Sequence, residues 1–149
     1  MLNEDKELVI LESPSKRGKF QKILGNKYII TASFGHIRDL EKKDLGIDIE
    51  NNFSPNYIIS PDKKSVVSDL RKLGKQCKVV WLASDYDREG ESIAWHLFDV
   101  MKLKKENTRR IIFTEITPKA INNAIKNPTE IDMNMFYSQQ ARRILDRLI

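Results

Sequence analysis

The chain has 149 residues, 40% of them hydrophobic, with only 6 Gly and 5 Pro; this is the size and composition of one folded domain and excludes a disordered or low-complexity protein. Lys and Arg number 26 against 21 Asp and Glu, a net charge of +5, which suits a polyanionic partner without requiring one. Cys77 is the only cysteine and there are two histidines, so neither a disulfide framework nor a cysteine-rich zinc site can be assembled. No apolar run reaches the roughly 20 residues of a membrane span, and the polar start has no export signal, so a cytoplasmic protein is expected.

Leu8, Val9, Ile10 and Leu11 form a short apolar run bounded by charge, the pattern of a strand buried on both faces. Ser13 and Pro14 supply an N-cap and a first helical residue, and Phe20, Ile23 and Leu24 give an i, i+3, i+4 stripe that Gly25 closes. A second strand is predicted over Tyr28–Ala32. From Phe34 to Pro55 periodicity is lost while Gly, Asp and Asn recur, predicting a long irregular connection over the sheet edge. Tyr57–Ile59 reads as a short strand. A helix over 62–75 follows through Val66, Val67, Leu70 and Leu73, with Gly74 marking its end.

Val79–Ala83 is a second strongly apolar strand that runs into an acidic stretch, after which Ile93, Ala94, Leu97, Phe98 and Met101 fall on one helical face. A strand is predicted from Arg110 to Glu115. Thr117 and Pro118 open a helix through Ala120, Ile121, Ala124 and Ile125, and a last helix runs from Asn134 to the C-terminus. Strands alternating with helices predict an α/β fold with a mainly parallel sheet covered on both faces. No repeat or flexible linker divides residues 1–149, which are expected to form one domain. The final helix reaches Leu148 and Ile149 without a Gly, Asn or Pro to end it. The expectation is therefore a fragment whose residues 134–149 begin the connection to a next domain.

Asp85, Asp87 and Glu89, with Glu91 behind them, place four carboxylates at alternate positions after a buried strand. Capping a helix start accounts for one or two. In an extended segment residues two apart project to one side roughly 6 to 7 Å apart, from which carboxylates can converge on a hard cation, and oxygen ligands without Cys or His point to magnesium. Glu12 also ends an apolar strand, at the edge where parallel sheets bind ligands. If the two strands are neighbours, Glu12 faces the acidic cluster and the like charges raise a carboxyl pKa, making a general acid available.

Lys16, Arg17 and Lys19 crowd the first turns after Ser13, where they either meet a phosphate or form a solvated basic face. His36, after Gly35, reads more readily as a structural group than as a catalyst. Gln139, Gln140, Arg142 and Arg143 oppose Ile144, Leu145 and Leu148 on the last helix, a pattern shared by nucleic-acid contacts and ordinary amphipathic helices.

Five segments in order, LVILESPSK (8–16), GHIRDL (35–40), DYDREGESIAWHL (85–97), FTEIT (113–117) and QQARRILDRL (139–148), resemble the successive signatures of type IA DNA topoisomerases. The ESPSK form and the IAWHL helix resemble the bacterial topoisomerase I or reverse gyrase branch. The resemblance implies a Toprim fold with a parallel sheet of about four strands, and an ATP-independent enzyme that cleaves, passes and rejoins single DNA strands to relax negative supercoils on the nucleoid. It implies a proton-transfer role for Glu12 at the scissile phosphodiester, with Lys16 stabilising that phosphate and His36 near it. Asp85, Asp87 and Glu89, joined by Glu12, are implied as the magnesium site. Arg142, Arg143 and Asp146 are implied in a segment that binds single-stranded DNA beside the next domain.

Ser15 and Ser84 stand where Ala and Thr are usual, and Tyr86 fills a variable place. The nucleophilic Tyr of the family, set among Arg, Thr, Asp and Ser, has no counterpart at Tyr28, Tyr57, Tyr86 or Tyr137, so the chain alone is expected to be inactive. Two other readings use the same residues: a stand-alone Toprim nuclease or primase-type protein with a metal-activated water, and a non-catalytic nucleic-acid-binding module whose acids only cap a helix.

Overall fold

The computed structural model describes residues 5–41, 47–48 and 54–148. In chain order the strands are β1 (Glu7–Leu11), β2 (Tyr28–Ala32), β3 (Arg38–Leu40), β4 (Ile47–Asp48), β5 (Ser54–Pro55), β6 (Tyr57–Ile59), β7 (Val79–Ala83) and β8 (Thr108–Arg110). The helices are α1 (Arg17–Leu24), α2 (Lys64–Gln76), α3 (Arg88–Val100), α4 (Pro118–Lys126) and α5 (Met133–Leu148).

The apolar runs dictate the centre. All five residues of β1 are buried, and β1 lies between β2 and β7 in a four-stranded sheet of order β2, β1, β7, β8. Every pairing in it is parallel. Side chains alternate across a strand, so Leu8 and Ile10 join Val80 and Leu82 on one face, packed with Val67 and Leu70 of α2 and Ile93 and Leu97 of α3. Val9 and Leu11 join Ile30, Trp81 and Ala83 on the other, packed with Phe20 of α1 and Ile121 and Ala124 of α4. The predicted α/β architecture, parallel and covered on both faces, is the one found. Among the described residues no helix is long and apolar enough to cross a membrane.

Three local expectations change. The last strand covers Thr108–Arg110, not Arg110 to Glu115. Ile111 and Phe113, whose apolar character suggested a strand, belong to a segment that turns away and packs beside Phe20. The backbone of Arg110 is meanwhile bridged to Thr129 on the outer side of β8.

Gly74 does not stop α2, which continues to Gln76. A Cβ there would lie 2.8 Å from Met101 Cε, so the glycine permits close packing instead. The connection after Phe34 is not irregular throughout, because β3 pairs antiparallel with β6, Arg38 opposite Ile59 and Leu40 opposite Tyr57, and β4 pairs antiparallel with β5. Buried Ile37 and Leu40 anchor its first part. Residues 42–46 and 49–53 of that connection, residues 1–4 of the polar start and Ile149 lie outside the described residues.

Candidate functional site

Leu11 of β1 and Ala83 of β7 are paired neighbours, so Glu12 and Asp85 leave the sheet side by side at the C-terminal edge. The Asp85 N–H donates to Glu12 Oε1 at 3.3 Å. The adjacency that the sequence reading made conditional is therefore present. Partial burial pushes the Glu12 carboxyl above the usual carboxylate range; the Asp85 N–H opposes the rise, and the charges of Asp85, Asp87 and Glu89 add to it.

The acidic stretch is not extended as expected. Asp87 is the N-cap of α3, accepting from the Gly90 N–H at 2.6 Å, and Glu89 stands in the helix's first turn. Capping thus uses Asp87, as one of the two sequence explanations required. Glu91 separates from the others entirely, buried on the inner side of α3. Asp85, Asp87 and Glu89 remain exposed around the helix start.

Among the described residues no three His, Cys, Asp or Glu side chains already converge closely enough to hold a metal ion. The acidic donors at this edge, Glu12, Asp85, Asp87 and Glu89, are nonetheless all carboxylates. Mg²⁺ usually retains several waters and takes one or two carboxylates together with substrate phosphates. An open acidic edge fits that ion better than it would fit one that needs a closed cage of protein ligands.

The loop is held from beneath by a residue that sequence reasoning missed. Arg110 is 1% exposed and its Nε and Nη2 donate to Glu91 Oε1 at 2.9 and 2.6 Å. Nη1 donates to the carbonyls of Leu82, Ser84 and Ile111, and Nη2 to that of Asp85 at 2.8 Å. The other Glu91 oxygen accepts from the Asp132 N–H at 2.8 Å. One guanidinium therefore fixes the backbone from the end of β7 to Asp85. The available signal was an arginine next to the apolar pair Ile111 and Ile112, which reads more readily as a strand end than as a buried cation. Gly90 completes the arrangement: a Cβ there would sit 1.8 Å from the Asp85 carbonyl oxygen.

His36 reaches the same edge from a different loop. Phe34 and Gly35 both have positive φ, 59° and 89°, and the Gly35 N–H donates to the Glu12 carbonyl at 3.0 Å. This turn sets His36 Nε2 at 3.0 Å from Glu89 Oε1. Lys16 ends the 3-10 turn Pro14–Lys16, which Ser13 caps. It is exposed and makes no ion pair with the described residues.

The helix residues at the far end divide. Arg143 pairs with Asp39 at 2.5 Å, while Arg142 and Asp146 are exposed. Arg147, not singled out from sequence, donates to the carbonyls of Leu40 and Glu41. The helix α5 thus clasps β3, and its polar residues are not brought to the Glu12 edge by any described contact.

An acidic C-terminal sheet edge on a four-stranded parallel sheet defines the class, and residues 7–116 match the family described as "Toprim domain": the chain belongs to the Toprim family. The structure of full-length topoisomerase I from Thermotoga maritima is similar to it over 95% of this chain, with 47% sequence identity and a TM-score of 0.86. The chain spans 24% of the length of that protein.

Proposed function

We propose that this chain is the Mg²⁺-binding Toprim domain of a bacterial type IA DNA topoisomerase, acting with further domains on single-stranded DNA in the cytoplasm. The observation that carries the reading is the meeting of Glu12 with Asp85 at one sheet edge, within the field of Asp87 and Glu89. The 47% identity to the Thermotoga topoisomerase I supports it.

In this reading Asp85, Asp87 and Glu89, joined by Glu12, hold Mg²⁺. The bound ion supplies charge neutralisation for the phosphodiester. Without the ion, burial and the neighbouring acids hold the Glu12 carboxyl above the usual range; Glu12 would transfer a proton to the leaving oxygen when it is not itself coordinating the ion. Lys16 contributes an exposed cation at the end of the Ser13 turn to the scissile phosphate. His36, held by Glu89, stands near that phosphate. Arg142, Arg143 and Asp146 contact the strand leading to the next domain. Residues 1–149 act as one domain, and 134–149 begin that connection.

Calorimetry with MgCl₂ tests the assignment. Asp85→Asn combined with Asp87→Asn should abolish the weak Mg²⁺ binding of the native chain, whereas unchanged binding would leave only the helix-capping reading. The native chain itself should not relax supercoiled plasmid, because none of its four tyrosines has the setting of the nucleophile. Mg²⁺-dependent nicking without a covalent protein–DNA adduct would favour the nuclease reading instead.

A further inference from the structure

Cations gather on the outer side of α2 and the α3 C-terminus, away from Glu12 and Asp85. Helix α2 ends at Gln76 just before β7 begins at Val79, and α3 ends at Val100 ahead of β8 at Thr108, so both helix C-termini lie at the edge where strands start, opposite Glu12 and Asp85. One hollow opens there, and a second runs from it along α2 toward that helix's first residue. The first, of about 560 Å³, is lined by Arg71, Lys75, Lys102 and Lys104. The other, of about 400 Å³, shares Arg71 and Lys75 and adds Lys64 and Lys72.

Among the described residues no acidic side chain lines either hollow, and none of these six cations enters an ion pair. Lysines in a last helical turn complement the helix dipole, which accounts for Lys75 and no more. Arg71 is fixed in place, its Nε donating to the Val100 carbonyl at 2.9 Å. Lys102 holds a positive φ of 52°, a conformation that favours glycine and costs a lysine about 1 kcal/mol.

We propose that this basic collar binds the phosphate backbone of duplex nucleic acid, as a second contact face remote from the acidic edge. The choice of a nucleic-acid partner rests on the reading of the chain as a DNA-acting Toprim domain; the charge geometry does not. Adjacent unpaired cations suit a polyanion with regularly spaced charge, whose binding they drive by releasing counterions. The large exposed hydrophobic residues Phe34, Ile58, Tyr86, Tyr137, Leu145 and Leu148 do not line either hollow. Among the described residues no aromatic side chain lines the collar, and its apolar lining residues Ile59, Val67, Val80, Met101 and Leu103 are buried or half-buried, so it offers neither a platform on which unpaired bases stack nor exposed apolar side chains to insert into a lipid surface. Paired, sequence-independent backbone is the polyanion that remains.

Fluorescence anisotropy of a labelled 20-base-pair duplex of random sequence, followed over a KCl series, tests the collar. The charge reversals Lys72→Glu, Lys75→Glu and Lys104→Glu together should weaken binding by roughly tenfold or more at low salt and flatten the log–log salt slope by about 2 to 3. The neutral set Lys72→Gln, Lys75→Gln and Lys104→Gln should move both quantities in the same direction, so a folding defect in the reversed set does not decide the matter. The matched set Lys22→Glu, Lys119→Glu and Lys126→Glu, on α1 and α4 over the other sheet face, should lose much less. Equal loss in the two reversed sets, or no loss in the collar set, overturns the proposal. Competition by poly-L-glutamate as strong as that by duplex, charge for charge, overturns the nucleic-acid assignment. Duplex binding by the native chain should be undiminished in EDTA, which separates failure of the collar from failure of the Mg²⁺ assignment.

Discussion

Arg110 and Glu91 form an ion pair at 2.6 Å with side chains only 1% and 0% exposed, directly beneath the loop that presents Asp85 and Asp87. The pair lies in the interior, yet every atom of it is used: the guanidinium meets four backbone carbonyls besides the carboxylate, and no buried side-chain polar atom among the described residues lacks a partner. A buried pair of this kind contributes little net stability over an apolar substitute, but loss of one partner strands the other charge in a low-dielectric site. Its value here is geometric, since it sets the direction in which β7 delivers the acidic loop.

Breaking the pair should therefore cost far more than removing the exposed acids it supports. Arg110→Met or Glu91→Leu alone should lower unfolding free energy in urea by about 3 to 5 kcal/mol. The double variant should be less destabilised than the sum of the two, because the stranded charge is gone. Asp85→Asn should stay within about 0.5 kcal/mol, as expected for an exposed residue. Additive losses in the double variant would show that the two residues act separately.

This scaffold also shows where the sequence stopped being legible. Leu8 to Leu11 and Val79 to Ala83 are uninterrupted apolar runs, so the two central strands and their edge-located acids, Glu12 and Asp85, could be read directly. Strand β8 could not, because Thr108, Arg109 and Arg110 are polar residues held by pairing to β7 and by the bridge to Thr129. Strand β6 is legible at Tyr57–Ile59, but its partner β3, of three residues, is too short to display a period. Glu91 read as a fourth member of the acidic cluster because only the fold brings Arg110, 19 residues later, against it. The contact of His36 with Glu89, 53 residues apart, depends likewise on a turn whose positive φ at Phe34 no local preference announces.

Gly90 offers a sharper probe of the same loop. A methyl group at that position would overlap the Asp85 carbonyl oxygen at 1.8 Å and approach the Asp85 nitrogen at 3.0 Å, both backbone atoms that cannot rotate away. Gly90→Ala should then destabilise the chain by several kcal/mol, on the order of the largest single-residue effects, and displace Asp85 enough to weaken Mg²⁺ binding. Gly18 is the control, also helical but with nothing within 4 Å of an added Cβ. Gly18→Ala should stabilise by about 0.5 to 1 kcal/mol through the lower backbone entropy of the unfolded chain. Equal behaviour of the two variants in thermal melts would refute the steric account.

His96 makes stability depend on pH between neutrality and mild acid. Its ring is 3% exposed, in edge contact with Tyr57, Trp95 and Phe136, and its Nδ1 accepts from Arg38 Nε at 3.0 Å. Burial, then the charge of Arg38, then that of His36, push its pKa from 6.5 down to about 3. The folded state therefore holds the ring neutral where the unfolded chain would protonate it. The resulting stability is fully present above pH 6.5 and is lost as pH falls from there toward 3. Between pH 7 and pH 5 the loss should be about 2 kcal/mol, read from urea midpoints at the two values. In His96→Gln, which cannot titrate, the difference should shrink to a few tenths of a kcal/mol whatever the variant's absolute stability. Since His96 joins α3 to Phe136 of α5 and, through Arg38, to β3, the first structure to loosen on acidification should be the docking of α5. Amide exchange in Met133–Leu148 should accelerate before that in β1 and β7.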